Sequence, residues 1–283
     1  MREPVWRSVA ALAIALTACG HASAPRVAPE WAEVIAWDAD PSVVTDADLC
    51  ARIAELSLPW HVRHAASGIE LLLVPAGTYE RGAAEGDPEA ASDERPRHAV
   101  SVAQPFYIGR FEVTQGEWKR VLGTDPSHFG GDARRPVEKV TYFEVLEFLE
   151  RAGLELPTEG EWEYACRAGD RTARHGALDD VAWYRGNAES MTHPVGGKAA
   201  NAVGLHDMLG NVWEWTSTWY ESDTYAACVD GVDAKHGPPG GLQMVLRGGS
   251  WYDAAVRARA SARYAAAWPF EAGHVGLRVV RPL

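Results

Sequence analysis

The chain lacks any apolar run long enough to cross a bilayer. Its longest stretch almost free of polar groups, Ser8 to Ala18 (SVAALAIALTA), has eleven residues, whereas a spanning helix needs about 20. Positive charge is also short. There are 27 Lys and Arg against 39 Asp and Glu, a net charge of −12, so nothing draws the chain electrostatically to nucleic acid or to anionic lipid. Cysteine is scarce, with 4 in 283 residues, and no two are spaced as a thiol redox pair. No internal repeat, nucleotide-binding loop or Ser/His/Asp order stands out. The ten His are scattered. His61 and His64 lie three apart, without the carboxylate-bearing surroundings of an iron site.

What is present begins at the N-terminus. Arg2 and Arg7 precede the eleven-residue run, which has the length and flanking charge of a signal-peptide core. Leu16-Thr17-Ala18-Cys19 closes it and resembles the bacterial lipobox, which implies cleavage before Cys19 and lipidation of its sulfur. Gly20, rather than Asp, at the next position implies the outer membrane. The expected localisation is therefore the bacterial cell envelope, with a covalent membrane anchor. In an oxidising compartment Cys50, Cys166 and Cys228 allow one disulfide in any of three pairings.

The expected organisation is a signal peptide over 1–18, a lipidated tether over 19–48, a lead-in over 49–67 and one domain over 68–283. Residues 20–48 are rich in Ala, Pro, Asp and Val without sustained periodicity, although Trp31 and Trp37 point to partial docking on the domain. Leu49 to Leu58 predicts a short helix. Ile69 to Val74 and Phe106 to Phe111 predict strands, with a surface loop over Glu80 to His98 between them. Three helix starts share one signature: Thr114 with Glu117, Thr141 with Glu144 and Thr158 with Glu161 place a hydroxyl at the N-cap and a carboxylate three residues on. The last of these helices should end at Gly169. Beyond it the chain is rich in Trp and Gly, and Gln243 to Arg247 and Val275 to Val280 predict strands that pair antiparallel.

Several segments carry a family resemblance: Leu156-Pro157-Thr158-Glu159-Gly160-Glu161-Trp162-Glu163-Tyr164-Ala165, Gly204-Leu205-His206-Asp207-Met208-Leu209-Gly210-Asn211-Val212-Trp213-Glu214-Trp215, Leu246-Arg247-Gly248-Gly249-Ser250-Trp251 and Val275-Gly276-Leu277-Arg278. With Val74-Pro75-Ala76-Gly77, Glu112-Val113-Thr114 and Pro136-Val137-Glu138-Lys139-Val140, they resemble the formylglycine-generating enzyme (sulfatase-modifying factor) family over Gly68 to Leu283. The resemblance implies an α+β, C-type-lectin-like fold with little regular secondary structure. It also implies an oxidase that holds copper(I) between two cysteines shortly after the Gly-Gly-Ser turn. Here Trp251 to Arg263 has no cysteine, and Asp253 falls about where the first belongs. A carboxylate is a hard ligand and does not replace a thiolate for Cu(I), so copper chemistry is not expected and no catalytic residue is assigned. Cys166 reads as a small buried hydrophobe.

Two constellations remain. By the resemblance, Asp207, the carbonyls of Leu209 and Gly210, and the Asn211 amide imply a structural Ca2+ site, and oxygen-only ligation suits a hard cation. The competing reading is an ion-free Gly-Asn turn that sets Trp213 and Trp215 into the core. Tyr252, Asp253, Arg257, Arg259 and Arg263, with Tyr264, form the second group, where the family's substrate groove would lie. They read either as a face for carboxylates or peptides or as arginines paired with local acids. The expectation is a surface-anchored, non-oxidase binding or accessory module for an envelope protein or peptide. The alternative is periplasmic oxidative maturation, either formylglycine generation on sulfatases or a copper-independent relative of it.

Overall fold

The computed structural model describes residues 26–227 and 241–283. The signal peptide, Cys19 and Cys228 lie outside them. Among the described residues no helix is long and apolar enough to cross a membrane.

The first half of the chain runs β1 (Ala32–Ala36), α1 (Ala47–Glu55), β2 (His61–His64), β3 (Glu70–Val74), β4 (Gly77–Arg81), β5 (His98–Val102), β6 (Phe106–Gly109), α2 (Gln115–Leu122), α3 (Tyr142–Ala152) and α4 (Glu159–Arg167). It continues with α5 (Leu178–Val181), β7 (Ala182–Trp183), β8 (Leu209–Gly210), β9 (Trp213–Trp219), α6 (Thr224–Ala227), β10 (Gln243–Arg247), β11 (Arg263–Ala267), β12 (Val275–Leu277) and β13 (Val280–Pro282). Strands and helices mix along the chain and long irregular stretches separate them, which is the α+β architecture expected.

Two sheets carry the structure. The first has the order β1-β2-β3-β6-β13 and the second β11-β10-β9-β12. The apolar run of β3 is the central strand of the first sheet, between β2 and β6, with Leu71, Leu72, Leu73 and Val74 all buried. A strand covered on both faces needs no polar alternation. The Thr-x-x-Glu signatures form as expected at α2, α3 and α4, each with the reciprocal side-chain-to-backbone pair of a capping box. Trp118 of α2 stacks on Phe148 of α3 at 4.9 Å, fixing the two helices together. The last helix stops at Arg167, and Ala168, not Gly169, takes the left-handed cap position.

Three expectations are corrected. Residues 26–48 do not all serve as a tether. β1 pairs antiparallel with β2, Val44 is buried and Trp31 packs edge-on against Tyr107, because exposing these apolar side chains would cost more than ordering the segment costs in entropy. The compact unit therefore begins ahead of Gly68. Val275 to Val280 is not one strand: it breaks after Leu277, so β12 joins the second sheet and β13 the first. β12 also does not pair with β10, because β9 lies between them and β12 runs parallel to it. The segment Glu80 to His98 is not all surface loop: Glu94 within it is fully buried. Cys50 and Cys166 both carry free thiols, so they are not bonded to each other.

Candidate functional site

The Gly-Gly-Ser turn after β10 carries Trp251, Tyr252 and Asp253 back across the end of β9. The Trp251 N–H donates to the Asn211 carbonyl at 2.9 Å, and the Asp253 N–H to the Ser250 carbonyl at 3.1 Å. One carboxylate oxygen of Asp253, Oδ2, accepts the indole N–H of Trp213 at 2.8 Å and the Ser250 hydroxyl. The other, Oδ1, has no hydrogen-bond or ionic partner among the described residues. Position 253 thus holds a fixed carboxylate with one oxygen committed and the other open.

A run of aromatic rings starts and ends beside it. Trp213 stacks on Tyr264 at 5.5 Å, Tyr264 meets Phe270 at 6.2 Å, Phe270 meets His274 at 6.4 Å, and His274 stacks on Tyr252 at 5.3 Å. Tyr252 is the chain neighbour of Asp253, so the circuit closes. Burial lowers the pKa of His274, against the opposing charge of Asp253, which favours the neutral ring. Tyr252 is 58% exposed and forms the outer edge. The sequence reading grouped Tyr252, Asp253 and Tyr264 with the arginines and set Trp213 into the core, where it is buried, but gave no role to Ser250, Phe270 or His274. Nothing local marks those residues, since the tertiary fold alone gathers them.

The arginines do not join this face. Arg259 is 1% exposed, and its two Nη atoms donate to the two oxygens of Glu94 at 2.6 and 2.7 Å, the bidentate geometry that a planar guanidinium favours. Arg263 is buried on Glu159 at 2.7 and 3.0 Å. Arg257 is half-buried and donates to the Arg263 carbonyl at 3.4 Å. The reading of Arg259 and Arg263 as a binding face is corrected to the paired one. A guanidinium set into the protein interior requires a carboxylate beside it, and Glu94 and Glu159 supply it. Arg247 on Glu163 at 2.5 Å and Arg278 on Glu214 at 2.7 Å repeat the arrangement.

The turn expected to bind calcium is fully engaged in structure. Asp207 and Asn211 take positive φ, 54° and 55°, a conformation Asp and Asn tolerate better than most residues. Leu209 and Gly210 form β8, paired with β7. A Cβ at Gly210 would sit 2.2 Å from the Trp183 carbonyl oxygen, so only glycine fits. The Asn211 amide is committed: its oxygen accepts the His193 N–H at 2.9 Å, and its nitrogen donates to Glu112 at 2.6 Å and to the His193 carbonyl at 3.2 Å. Asn211 thus ties the turn to Glu112 and His193.

Asp207 differs. Its Oδ2 accepts the Gly196 N–H at 2.6 Å, while its buried Oδ1 has no partner. Burial pushes its pKa up to about 6, against that Gly196 bond. Burial, reinforced by the charges of Asp207 and Glu214, pushes neighbouring Glu112 well up too. Both Glu112 oxygens are taken, accepting from the Asn211 amide at 2.6 Å and the Val212 N–H at 3.0 Å, whereas Oδ1 of Asp207 is left without a partner. No group of three or more His, Cys, Asp or Glu among the described residues is arranged for a metal. Glu112 was visible in the sequence only as part of Glu112-Val113-Thr114.

A separate cleft of about 640 Å³ opens between α3 and the second sheet, lined by Tyr142, Leu149, Trp219, Met244 and Trp268. It is mainly apolar, and the Glu161 carboxylate on its wall is occupied in capping α4.

The sulfatase-modifying factor enzyme 1-like domain matches residues 61–283. The formylglycine-generating enzyme of Streptomyces coelicolor is 35% identical over 194 residues, covering 62% of this chain and 60% of that protein. The serine/threonine-protein kinase Pkn1 of Chlamydia pneumoniae is 30% identical over 208 residues, 64% of this chain and 33% of the kinase. The chain thus spans between a third and three-fifths of the length of these relatives. Among solved structures, variable protein 1 of Treponema denticola superposes with a TM-score of 0.69 at 26% identity, covering 78% of this chain and 98% of that one. A match running from β2 to the last residue, on the same fold, identifies the chain as a member of the formylglycine-generating enzyme (sulfatase-modifying factor) family.

Proposed function

We propose that this protein is a non-oxidase member of its family, a binding or accessory module that acts on an envelope protein or peptide through the face around Asp253. The observation that carries the reading is the bonding of Asp253 itself. Where the copper-dependent chemistry needs a thiolate, this chain has a carboxylate locked to Trp213 and Ser250. Cys166 does not take over the role. It is fully buried, and burial pushes its thiol up to about 12, which keeps it protonated and a poor ligand for Cu(I). The match to relatives named for different activities, a generating enzyme and a kinase, agrees with a domain whose fold serves several roles.

The lipobox-like Leu16 to Cys19 would hold the module at the bacterial envelope. A cation at Asp207 would serve structure, since its unpartnered Oδ1 is buried. The reading is tested by incubating the full chain with Cu(I), O2 and a Cys-x-Pro-x-Arg peptide. No formylglycine should form, and turnover would overturn the non-oxidase reading. Anchorage is tested separately by palmitate labelling in a bacterial host: Cys19→Ser should abolish it, and retained label would move the anchor elsewhere.

A further inference from the structure

We infer that Asp253 and the rings of Trp213, Tyr264, Phe270, His274 and Tyr252 form a receptor for an organic cation, the ammonium or guanidinium group of a Lys or Arg side chain on a partner polypeptide. This rests on the binding-module reading and names the chemistry of its ligand.

Four observations carry it. The first is the open oxygen. Oδ2 of Asp253 is fixed by Trp213 and Ser250, so the carboxylate is already oriented and Oδ1 accepts a donor without first losing rotational freedom. The second is the ring circuit. Aromatic faces attract a cation within about 6 Å of a ring centroid, and a run of five rings linked by contacts of 5.3 to 6.4 Å starts at Trp213, bonded to the carboxylate, and ends at Tyr252, its chain neighbour. The third is the fate of the nearby arginines. Arg259 and Arg263 follow Asp253 in the chain but are turned inward onto Glu94 and Glu159, so neither guanidinium competes for Oδ1. The fourth is the acidic balance of the whole chain, net −12, which favours the approach of a cation.

The sequence left open a face for carboxylates or peptides and a set of arginines paired with local acids; with Arg259 and Arg263 paired, the charge at Asp253 is the one that faces a ligand. The openness of the site decides between a free small cation and a side chain. Tyr252 is 58% exposed and Asp253, Tyr264, Phe270 and His274 are half-buried, so the site covers a ligand from one side only. A residue held in a longer polypeptide gains further contacts along the surface, whereas a free ion has none to gain.

The test is titration of the full chain with Ac-Gly-Arg-Gly-amide, Ac-Gly-Lys-Gly-amide, the neutral Ac-Gly-Gln-Gly-amide and tetramethylammonium, read by tryptophan fluorescence and by calorimetry. The Arg and Lys peptides should bind and the Gln peptide should not, with affinity falling as salt rises. Asp253→Asn keeps an oxygen acceptor for the Trp213 N–H and removes the charge. It should weaken binding about tenfold, equivalent to about 1.4 kcal/mol, with a melting temperature much closer to the parent's than that of Asp253→Ala. Tyr252→Ala, at an exposed position, should weaken it severalfold. No binding by any peptide, equal binding of the Gln peptide, or an Asp253→Asn protein with undiminished affinity would overturn the inference. Tetramethylammonium binding as tightly as the peptides would overturn the polypeptide occupant. Formylglycine turnover in the copper assay bears on the non-oxidase reading and leaves this result unaffected, so the two failures are distinguishable.

Discussion

The indole N–H of Trp213 donates to the carboxylate of Asp253 at 2.8 Å across forty residues of sequence. Trp213 is itself buried, so this bond satisfies a donor that would otherwise be left without water. Asp253→Ala should therefore destabilise the protein by about 1–3 kcal/mol, the usual cost of an unsatisfied buried group. Asp253→Asn should cost much less. Urea unfolding of both variants checks this, and equal losses would show that charge rather than the hydrogen bond holds the turn.

Arg259→Ala should be severely destabilising, by about 3–5 kcal/mol, because it leaves the Glu94 carboxylate buried without its partner. Arg257→Ala, which removes a half-buried group bonded only weakly to a carbonyl, should fall within about 1 kcal/mol of the parent. Comparable losses at the two positions would contradict the different placement of these side chains.

Acid should unfold the protein through the buried arginine–glutamate network. Burial acts to raise the pKa of Glu159, but Arg263, Arg81 and Arg247 outweigh it and hold it at about 2, against an ordinary value of 4.5. Glu94 and Glu163 are held low in the same way. A group depressed on folding stabilises fully above its unfolded value and loses that contribution as pH falls through its folded one. Stability from this network should therefore decline from about pH 4.5 toward pH 2, measured as the urea midpoint. Glu112 and Asp207 have the opposite sign: raised on folding, they favour the folded state at low pH, and that contribution is lost as pH rises through about 6 for Asp207. A urea midpoint that stays level between pH 4.5 and 2 would argue against the network.

Calcium should compensate that loss at neutral pH. Millimolar calcium added to chelator-treated protein at pH 7.5 should raise the melting temperature by about 2–4 °C, and Asp207→Asn should remove most of the response. Scanning calorimetry reads both. An unchanged melting temperature in the parent protein would leave Oδ1 of Asp207 as a buried, proton-sharing group with no ion to satisfy it.

The helices were legible because their signals are local. Each Thr-x-x-Glu pair closes on backbone three residues away, so the sequence contains both partners within one turn. The strand Gln243–Arg247 was legible for the same reason, its short run of large side chains bounded by glycines. The break after Leu277 was not: Arg278 interrupts the apolar run there, but only the competition between two sheets makes that point a strand boundary.

The sequence by itself determined the family, the capped helices, the acidic balance and the missing cysteine at position 253, because each is read from residues near one another or from their identity alone. The tertiary structure decided what the charged residues do. Arg259 finds Glu94 165 residues away and Arg263 finds Glu159 104 residues away, and no local pattern distinguishes a guanidinium that will be buried from one that will face solvent. The same holds for the ring circuit around Asp253, whose members come from β9, β11 and two loops. Burial forces a charge to take a partner, and only the folded chain determines which partner is within reach.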